Sequence, residues 1–181
     1  MIPFRLPHAP RASRGFTLVE LMVGLAVMTV GVLGYLQALT QSENSARTSR
    51  QVSTATSDAS NILEQIASVP FDEAYARYNA NPADDPAGVD SPGSTFQVDG
   101  LGDGLTNVIC EVVFPGDADF GELREDADMP ELGFPRDLNV DGVIDNLDHG
   151  TDYALLPVIV RISWSGVSSS TIELKTILAP R

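Results

Sequence analysis

The feature that most constrains the fold of this chain is an apolar run near its N-terminus, residues 16–36, which contains a single charged side chain, Glu20. As an α-helix with a rise of about 1.5 Å per residue, the run measures about 32 Å, enough to cross a hydrocarbon layer of roughly 30 Å. We therefore predict a membrane-spanning helix. A charge near the centre of a bilayer costs roughly 2.5–3.5 kcal/mol, so Glu20 is expected to have a function that offsets this cost.

The residues before the apolar run are basic, with Arg5, Arg11 and Arg14 and no acidic residue. This bias predicts that the helix begins in the cytoplasm and that the rest of the chain lies outside it. A secretory signal peptide is disfavoured, because the run is long and the sequence after it is a poor cleavage site. An uncleaved anchor stays open as an alternative.

Residues 14–21, RGFTLVEL, follow a short basic leader and place a glutamate four residues beyond a Gly-Phe pair. This segment closely resembles the signal of type IV pilins and of the pseudopilins of type II secretion. The resemblance implies that a prepilin peptidase removes leader 1–15 by cutting between Gly15 and Phe16, and methylates the new N-terminus on Phe16. It also implies anchoring of 16–36 in the inner membrane, with later assembly into a periplasmic or cell-surface filament.

The same resemblance gives Glu20 an assembly role. Cleavage creates an ammonium group on Phe16, and residues four apart lie on one face of a helix. In the family's filaments the partner of this carboxylate is thought to be the N-terminal amine of a neighbouring subunit. A buried charge is costly without a partner, so the pair would select neighbours in the correct stagger. The alternative is that Glu20 only extends to the membrane interface.

The helix is predicted to continue as an amphipathic segment over residues 37–69, where apolar residues recur at three- and four-residue steps. Pro70 ends it, because a residue that precedes proline is pushed out of the helical region. Gly24, Gly31 and Gly34 are expected either to permit close helix packing or to mark where the helix melts. We favour packing.

Residues 70–181 are predicted to form a β-rich globular domain after a short helix near residues 71–78. Strand-like runs lie at about 94–99, 106–114, 153–164 and 168–178. Alternation places Cys110 and Trp164 on buried faces rather than in a reactive or ligand-binding site. The expected fold class is α+β: a pilin-like long N-terminal helix packed on a small antiparallel sheet.

An acidic loop at residues 136–150 has the spacing of an EF-hand calcium loop. Gly142 supplies the turn, and Ile144 is expected to anchor the loop to the core. The predicted Ca²⁺ ligands alternate along the loop: Asp137, Asn139, Asp141, the Val143 carbonyl, Asp145 and Asp148. The final Asp stands where an EF-hand has Glu, as in dockerin loops. The sequence offers no convincing partner loop or flanking helix pair, so a single isolated structural site is expected. The alternative is an acidic, solvated turn.

The net charge, the cysteine count and the lack of catalytic motifs exclude several other classes of function. Removal of residues 1–15 takes away three of the eleven Lys and Arg residues and no acidic residue, so the net charge changes from −14 to −17. Such a chain is not expected to bind nucleic acid. Because the chain has one cysteine, it cannot form an intrachain disulfide. It also contains no nucleophile motif of the kind that would indicate an enzyme.

The sequence therefore predicts a non-enzymatic minor pilin, with an initiation or tip role in a type IV pilus. The expected partners are prepilin peptidase and other pilins or pseudopilins. The alternatives are a minor pseudopilin of type II secretion and a membrane-anchored calcium-binding protein that does not polymerise.

Overall fold

A computed structural model describes residues 15–86, 88, 91–99, 101, 108–116, 121–165 and 169–180 of the chain. These residues fall into two compact units, one that ends at Ser45 and one that begins at Ala46. Of the predicted leader 1–15, only Gly15 lies within the described residues.

The long helix α1 spans Leu18–Ser68, 51 residues. It is long and apolar enough to cross a membrane. It runs without interruption through Gly24, Gly31 and Gly34, and a Cβ built on any of them meets no atom within 4 Å. Every residue from 15 to 47 is exposed. The first unit therefore has no core of its own within the described residues.

Within the second unit, from residue 46 onward, α1 buries one of its sides. Ala55 and Ala59 are fully buried and Ile66 is 1% exposed, while Ile62 and Leu63 pack at the edge of the same core. These positions recur every three or four residues and form one stripe along the helix. The helix ends at Ser68, two residues before Pro70, as the proline rule predicts.

The sheet has three antiparallel strands in the order β1-β2-β3. Strand β1 spans Val108–Val113, β2 spans Leu156–Trp164 and β3 spans Ser170–Leu178. Cys110 lies opposite Ile162 across the first pair, and Val160 lies opposite Leu174 across the second. Together with α1 the sheet confirms the predicted α+β class.

The predicted alternation in the strands is confirmed. Cys110 and Val112 are buried whereas Ile109 is 55% exposed, and Trp164 is 3% exposed. The run at 94–99 is not a full strand. Thr95 forms an isolated bridge to Glu111, and the Phe96 N–H donates to the Cys110 carbonyl at 3.1 Å. In the sequence, Pro92-Gly93 precedes this short run and two Asp-Gly pairs come at and after its end, and such residue pairs favour turns over regular strand.

A second helix, α2, spans Phe71–Tyr78, where one or two helical turns were predicted. The Tyr153 ring packs against Phe71 with centroids 5.0 Å apart, and its hydroxyl donates to the Phe71 carbonyl. Tyr75 in turn meets Phe114 edge-on at 5.2 Å. These aromatic contacts fix α2 beside the segments that lead into and out of the sheet.

Candidate functional site

The N-terminal site begins with a helix cap. Thr17 is the N-cap of α1: its Oγ1 accepts a hydrogen bond from the Glu20 N–H at 3.2 Å, and its carbonyl accepts one from the Leu21 N–H at 3.1 Å. A Thr followed three residues later by Glu is the sequence signature of a capping box, which the sequence analysis overlooked. The cap fixes the first turn of α1 immediately after Phe16.

Because α1 begins at Leu18, the relation predicted between Phe16 and Glu20 has to be corrected. Phe16 precedes the helix, so the rule that residues four apart share a helical face does not apply to it in the uncleaved chain. Both residues nevertheless line one shallow groove of about 400 Å³, together with Gly24 and neighbouring apolar side chains. Gly15 and Phe16 lie exposed before the helix, and Phe16 is 82% exposed.

The first half of the acidic loop is folded by its own side chains. The Asp137 carboxylate accepts hydrogen bonds from the Val140 N–H at 2.6 Å and the Gly142 N–H at 2.8 Å. Asn139 Oδ1 accepts one from the Asp141 N–H at 3.0 Å, and Asp141 Oδ1 accepts one from the Val143 N–H at 2.8 Å. The bonds to Asn139 and Asp141 come from the N–H two residues on and form two successive Asx turns. All four bonds replace the regular hydrogen bonds of a helix or strand.

Two residues of this half have left-handed backbone. Gly142 has φ of 90°, so glycine is needed at the position where an EF-hand loop also requires it. Val140 has φ of 64°, which is rare for a β-branched residue and costs about 1–3 kcal/mol. The bond from its N–H to Asp137 helps to hold this conformation.

The second half of the loop directs its carboxylates elsewhere. Asp145 Oδ1 accepts a hydrogen bond from the Leu147 N–H at 2.8 Å and lies 3.2 Å from His149 Nε2. Asp148 Oδ1 accepts bonds from the Leu123 and Gly150 N–H groups, both at 3.0 Å. The predicted calcium ligands are therefore divided between a self-bonded first half and a second half that contacts other segments.

The loop is anchored differently from the prediction. Ile144 was expected to anchor it, but this side chain is 49% exposed, and Val140, Val143 and Leu147 are exposed as well. Leu138 is fully buried instead, and its carbonyl accepts hydrogen bonds from the N–H groups of Ala154 and Leu155. The side chain at the second position of the loop, rather than the eighth, enters the core.

Sequence reasoning missed Glu125, which joins both halves of the loop. Its side chain is 1% exposed. Oε1 accepts hydrogen bonds from Leu138 N–H at 2.5 Å and Asn139 N–H at 3.3 Å, and Oε2 accepts one from Asp145 N–H at 3.2 Å. Backbone donors offset the cost of burying the carboxylate. Nothing in the acidic stretch around residue 125 marks this one carboxylate as buried.

His149 is a second structural residue that the sequence analysis did not identify. Its ring is buried, with Nδ1 3.0 Å from Asp152 Oδ1 and Nε2 beside Asp145. Burial alone would lower the pKa of His149, but hydrogen bonds to Asp145 and Asp152 and the charge of Glu125 together raise it. Among the described residues, Glu125, Asp145 and His149 form the one group of three His, Cys, Asp or Glu donors whose ligand atoms lie within 4.8 Å of one another.

Comparison with known proteins bears on the N-terminal site. Residues 10–36 match the family model described as the prokaryotic N-terminal methylation motif. The chain carries this motif. The match includes Gly15, Phe16 and Glu20 and extends to the end of the predicted membrane span, but it covers less than half of the chain. No curated protein and no solved structure matches the chain.

The methylation motif is consistent with the prepilin signal that the sequence predicted. It supports a type IV pilin-like or pseudopilin-like protein, which implies processing by a peptidase and assembly with other pilins. Together with the apolar part of α1, it fits membrane anchoring before assembly. A pilin-type motif also indicates a structural rather than an enzymatic role.

Proposed function

We propose that the chain is a minor pilin, a structural subunit that initiates or caps a type IV pilus. The observation that carries this proposal is the methylation motif at the start of a helix whose apolar side chains are exposed. Such a surface requires lipid before assembly and the helices of neighbouring subunits afterwards. The long acidic sequence between α2 and β2, rich in Pro, Gly and Asp, favours a low-copy subunit over the main repeating one.

Glu20 supplies the selectivity of assembly in this proposal. Peptidase cleavage after Gly15 places a methylated ammonium on Phe16, and the carboxylate pairs with the corresponding amine of a neighbouring subunit. Glu20 lies in the first turn of α1, where a negative charge also interacts favourably with the helix dipole. The pairing role and the local role differ in a testable way, because only pairing requires a partner subunit.

The two roles are separated by comparing Glu20→Ala with Thr17→Ala at native expression. Both changes weaken the first turn of α1, but only the first removes the carboxylate. We expect Glu20→Ala to be processed by the peptidase and excluded from filaments, while Thr17→Ala is incorporated. Equal incorporation of Glu20→Ala and the unmodified chain, measured by immunoblot of sheared filaments, would refute the pairing.

A clean deletion in the native host tests the assignment to a pilus. The expected result is loss of surface pili, seen by electron microscopy, with normal release of secreted proteins. Secretion substrates trapped in the periplasm with normal pili would instead identify a pseudopilin of type II secretion. A deletion without either effect would favour a membrane-anchored protein that does not polymerise.

We also propose that the acidic loop binds one structural Ca²⁺ ion. Asp137, Asn139, Asp141, the Val143 carbonyl, Asp145 and Asp148 would hold it, and all of these offer the oxygen donors that Ca²⁺ prefers. The left-handed Gly142 and the Asx turns of the first half support the proposal, whereas the second-half carboxylates have other partners. Bound calcium would neutralise part of the loop's charge and fasten a loop that no disulfide closes.

The calcium proposal is tested by thermal unfolding during a calcium titration. Calcium at about one hundred times its dissociation constant stabilises a binding protein by about 2.7 kcal/mol. We expect this stabilisation in the unmodified chain and in Asp128→Ala, an exposed acidic residue outside the loop, and its loss in Asp141→Ala. Identical calcium responses in all three proteins would remove the site.

A further inference from the structure

We propose a second metal site, in which His149 Nε2, Asp145 Oδ1 and Glu125 Oε2 bind a divalent transition metal ion of the zinc class. His149 Nε2 lies 3.2 Å from Asp145 Oδ1 and 3.8 Å from Glu125 Oε2. All three ligand atoms lie within 4.8 Å of one another. We call this group the histidine–carboxylate cluster.

The spacing of the cluster suits tetrahedral coordination. Zinc binds His nitrogen and carboxylate oxygen at about 2.0–2.2 Å, which separates tetrahedral ligand atoms by about 3.4 Å. The two distances from His149 Nε2 lie on either side of that value. Small side-chain adjustments would therefore place all three atoms at bonding distance from one ion.

The orientation of the imidazole is an independent observation in favour of a metal. Its other nitrogen, Nδ1, lies 3.0 Å from Asp152 Oδ1, and in the neutral tautomer with its hydrogen on Nδ1 the ring donates that hydrogen to Asp152. Nε2 then presents a lone pair toward two carboxylates. Histidines that bind metals are held by such a carboxylate on the second nitrogen. These three groups require a positive charge between them, which either a proton on Nε2 or a bound metal ion supplies.

Burial makes that requirement stronger. The side chains of His149 and Glu125 are 5% and 1% exposed. A buried carboxylate that lacks an opposite charge is costly. Glu125 is also held in place by backbone N–H groups from both halves of the acidic loop, so two of the three ligands are fixed before an ion binds. Preorganised ligands raise the affinity of a site.

Asp145 gives the ion a route from solvent. Its side chain is 33% exposed, in contrast to the other two ligands. With three protein ligands, a water molecule would complete the tetrahedral set on this side. The cluster is therefore a buried pair of ligands closed by a third that lies at the surface.

The donor chemistry separates this cluster from the proposed calcium loop. Calcium takes hard oxygen ligands, while imidazole suits zinc, copper, nickel and iron. The two sites share only Asp145, and the cluster adds His149 and Glu125, which are absent from the calcium set. The metal proposal therefore does not depend on calcium binding.

The test uses the untagged full chain in detergent, stripped of metals by a chelator and titrated with Co²⁺ as a spectroscopic probe for the zinc site. We expect one equivalent of Co²⁺ to produce an intense visible absorption typical of four-coordinate cobalt, and Zn²⁺ to abolish it. Asp145→Asn, which changes the most exposed ligand, should weaken Co²⁺ binding by at least tenfold. Absence of the absorption band from the unmodified chain would overturn the proposal.

Two further variants make the result specific. Asp152→Asn replaces a 56% exposed carboxylate, which supports the imidazole without binding the ion, by a neutral amide and should weaken Co²⁺ binding by about 10–100-fold. Asp137→Asn, in the calcium loop, should leave the cobalt spectrum unchanged while removing the calcium response. Unchanged Co²⁺ affinity in both Asp145→Asn and Asp152→Asn would contradict the cluster, whatever the outcome for calcium.

Discussion

The two units of the chain differ in whether their apolar side chains are exposed or buried. In the first unit, Leu25, Val30 and Leu33 are more than half exposed, and no residue from 15 to 45 is buried. In the second unit, Leu156 and Ile162 are fully buried in a core that the unit builds for itself. The first unit therefore needs lipid or other subunits to cover it, whereas the second can be stabilised by its own packing.

The largest expected contrast comes from matched leucine truncations in the two units. Leu156→Ala creates a cavity in the core and should lower the free energy of unfolding by about 2–5 kcal/mol. Leu33→Ala changes an exposed side chain and should alter it by no more than about 0.5 kcal/mol. Denaturant unfolding of the full chain in detergent, followed by the fluorescence of its single tryptophan, Trp164, measures both. Similar losses would contradict the division into an exposed unit and a unit that packs its own core.

A smaller contrast is expected from matched tyrosines. Tyr153 is 8% exposed and its hydroxyl donates to the Phe71 carbonyl, while Tyr35 is 65% exposed in the first unit. Tyr153→Phe keeps the ring but loses the hydrogen bond, so the free energy of unfolding should fall by about 0.5–1.5 kcal/mol. Tyr35→Phe should not change the same unfolding curve. A neutral Tyr153→Phe would show that this bond does not help to hold α2.

The smallest effect is expected on the exposed face of the sheet. Lys175 and Arg161 each donate to Glu173, and these bonds lower the pKa of its carboxyl below the usual value. A carboxyl with a lowered folded-state pKa stabilises the protein above its usual pKa and loses this contribution as the pH falls through the lowered value. Because the group is partly solvated, the effect should be below about 1 kcal/mol.

Glu173→Gln tests this contribution. The unfolding free energy of the unmodified chain should fall more between neutral and acidic pH than that of the variant, and added salt should reduce the difference. Parallel pH profiles for the two proteins would show that the Glu173 pairs contribute nothing measurable.

The parts of the fold that the sequence predicted are those with a regular local pattern. The buried stripe of α1 follows from the helical period, and its end follows from Pro70. The alternation in β1 and in the last residues of β2 follows from the strand period. The N-terminal site was predictable for another reason: its signal is contiguous, from Arg14 to Leu21, and the methylation motif found there agrees with it.

The acidic loop was predicted less well, because its structure depends on distant residues. Glu125 reaches the loop from more than ten positions upstream, and the same carboxylate approaches His149 from still farther away in the sequence. No period or spacing encodes such contacts. Ile144 was assigned to the core from its position in a calcium loop, but the flanking helices that would cover such a residue are absent from the described residues.

The central claim, that the exposed first unit is a processed pilin helix, is tested most directly by mass spectrometry of the N-terminus. The chain would be isolated from the membranes of its native host and compared with a Gly15→Val variant, which blocks the predicted cut. We predict an N-terminus at methylated Phe16 in the unmodified chain and at Met1 in the variant. An unmodified chain that begins at Met1 in cells with an active prepilin peptidase would contradict the account.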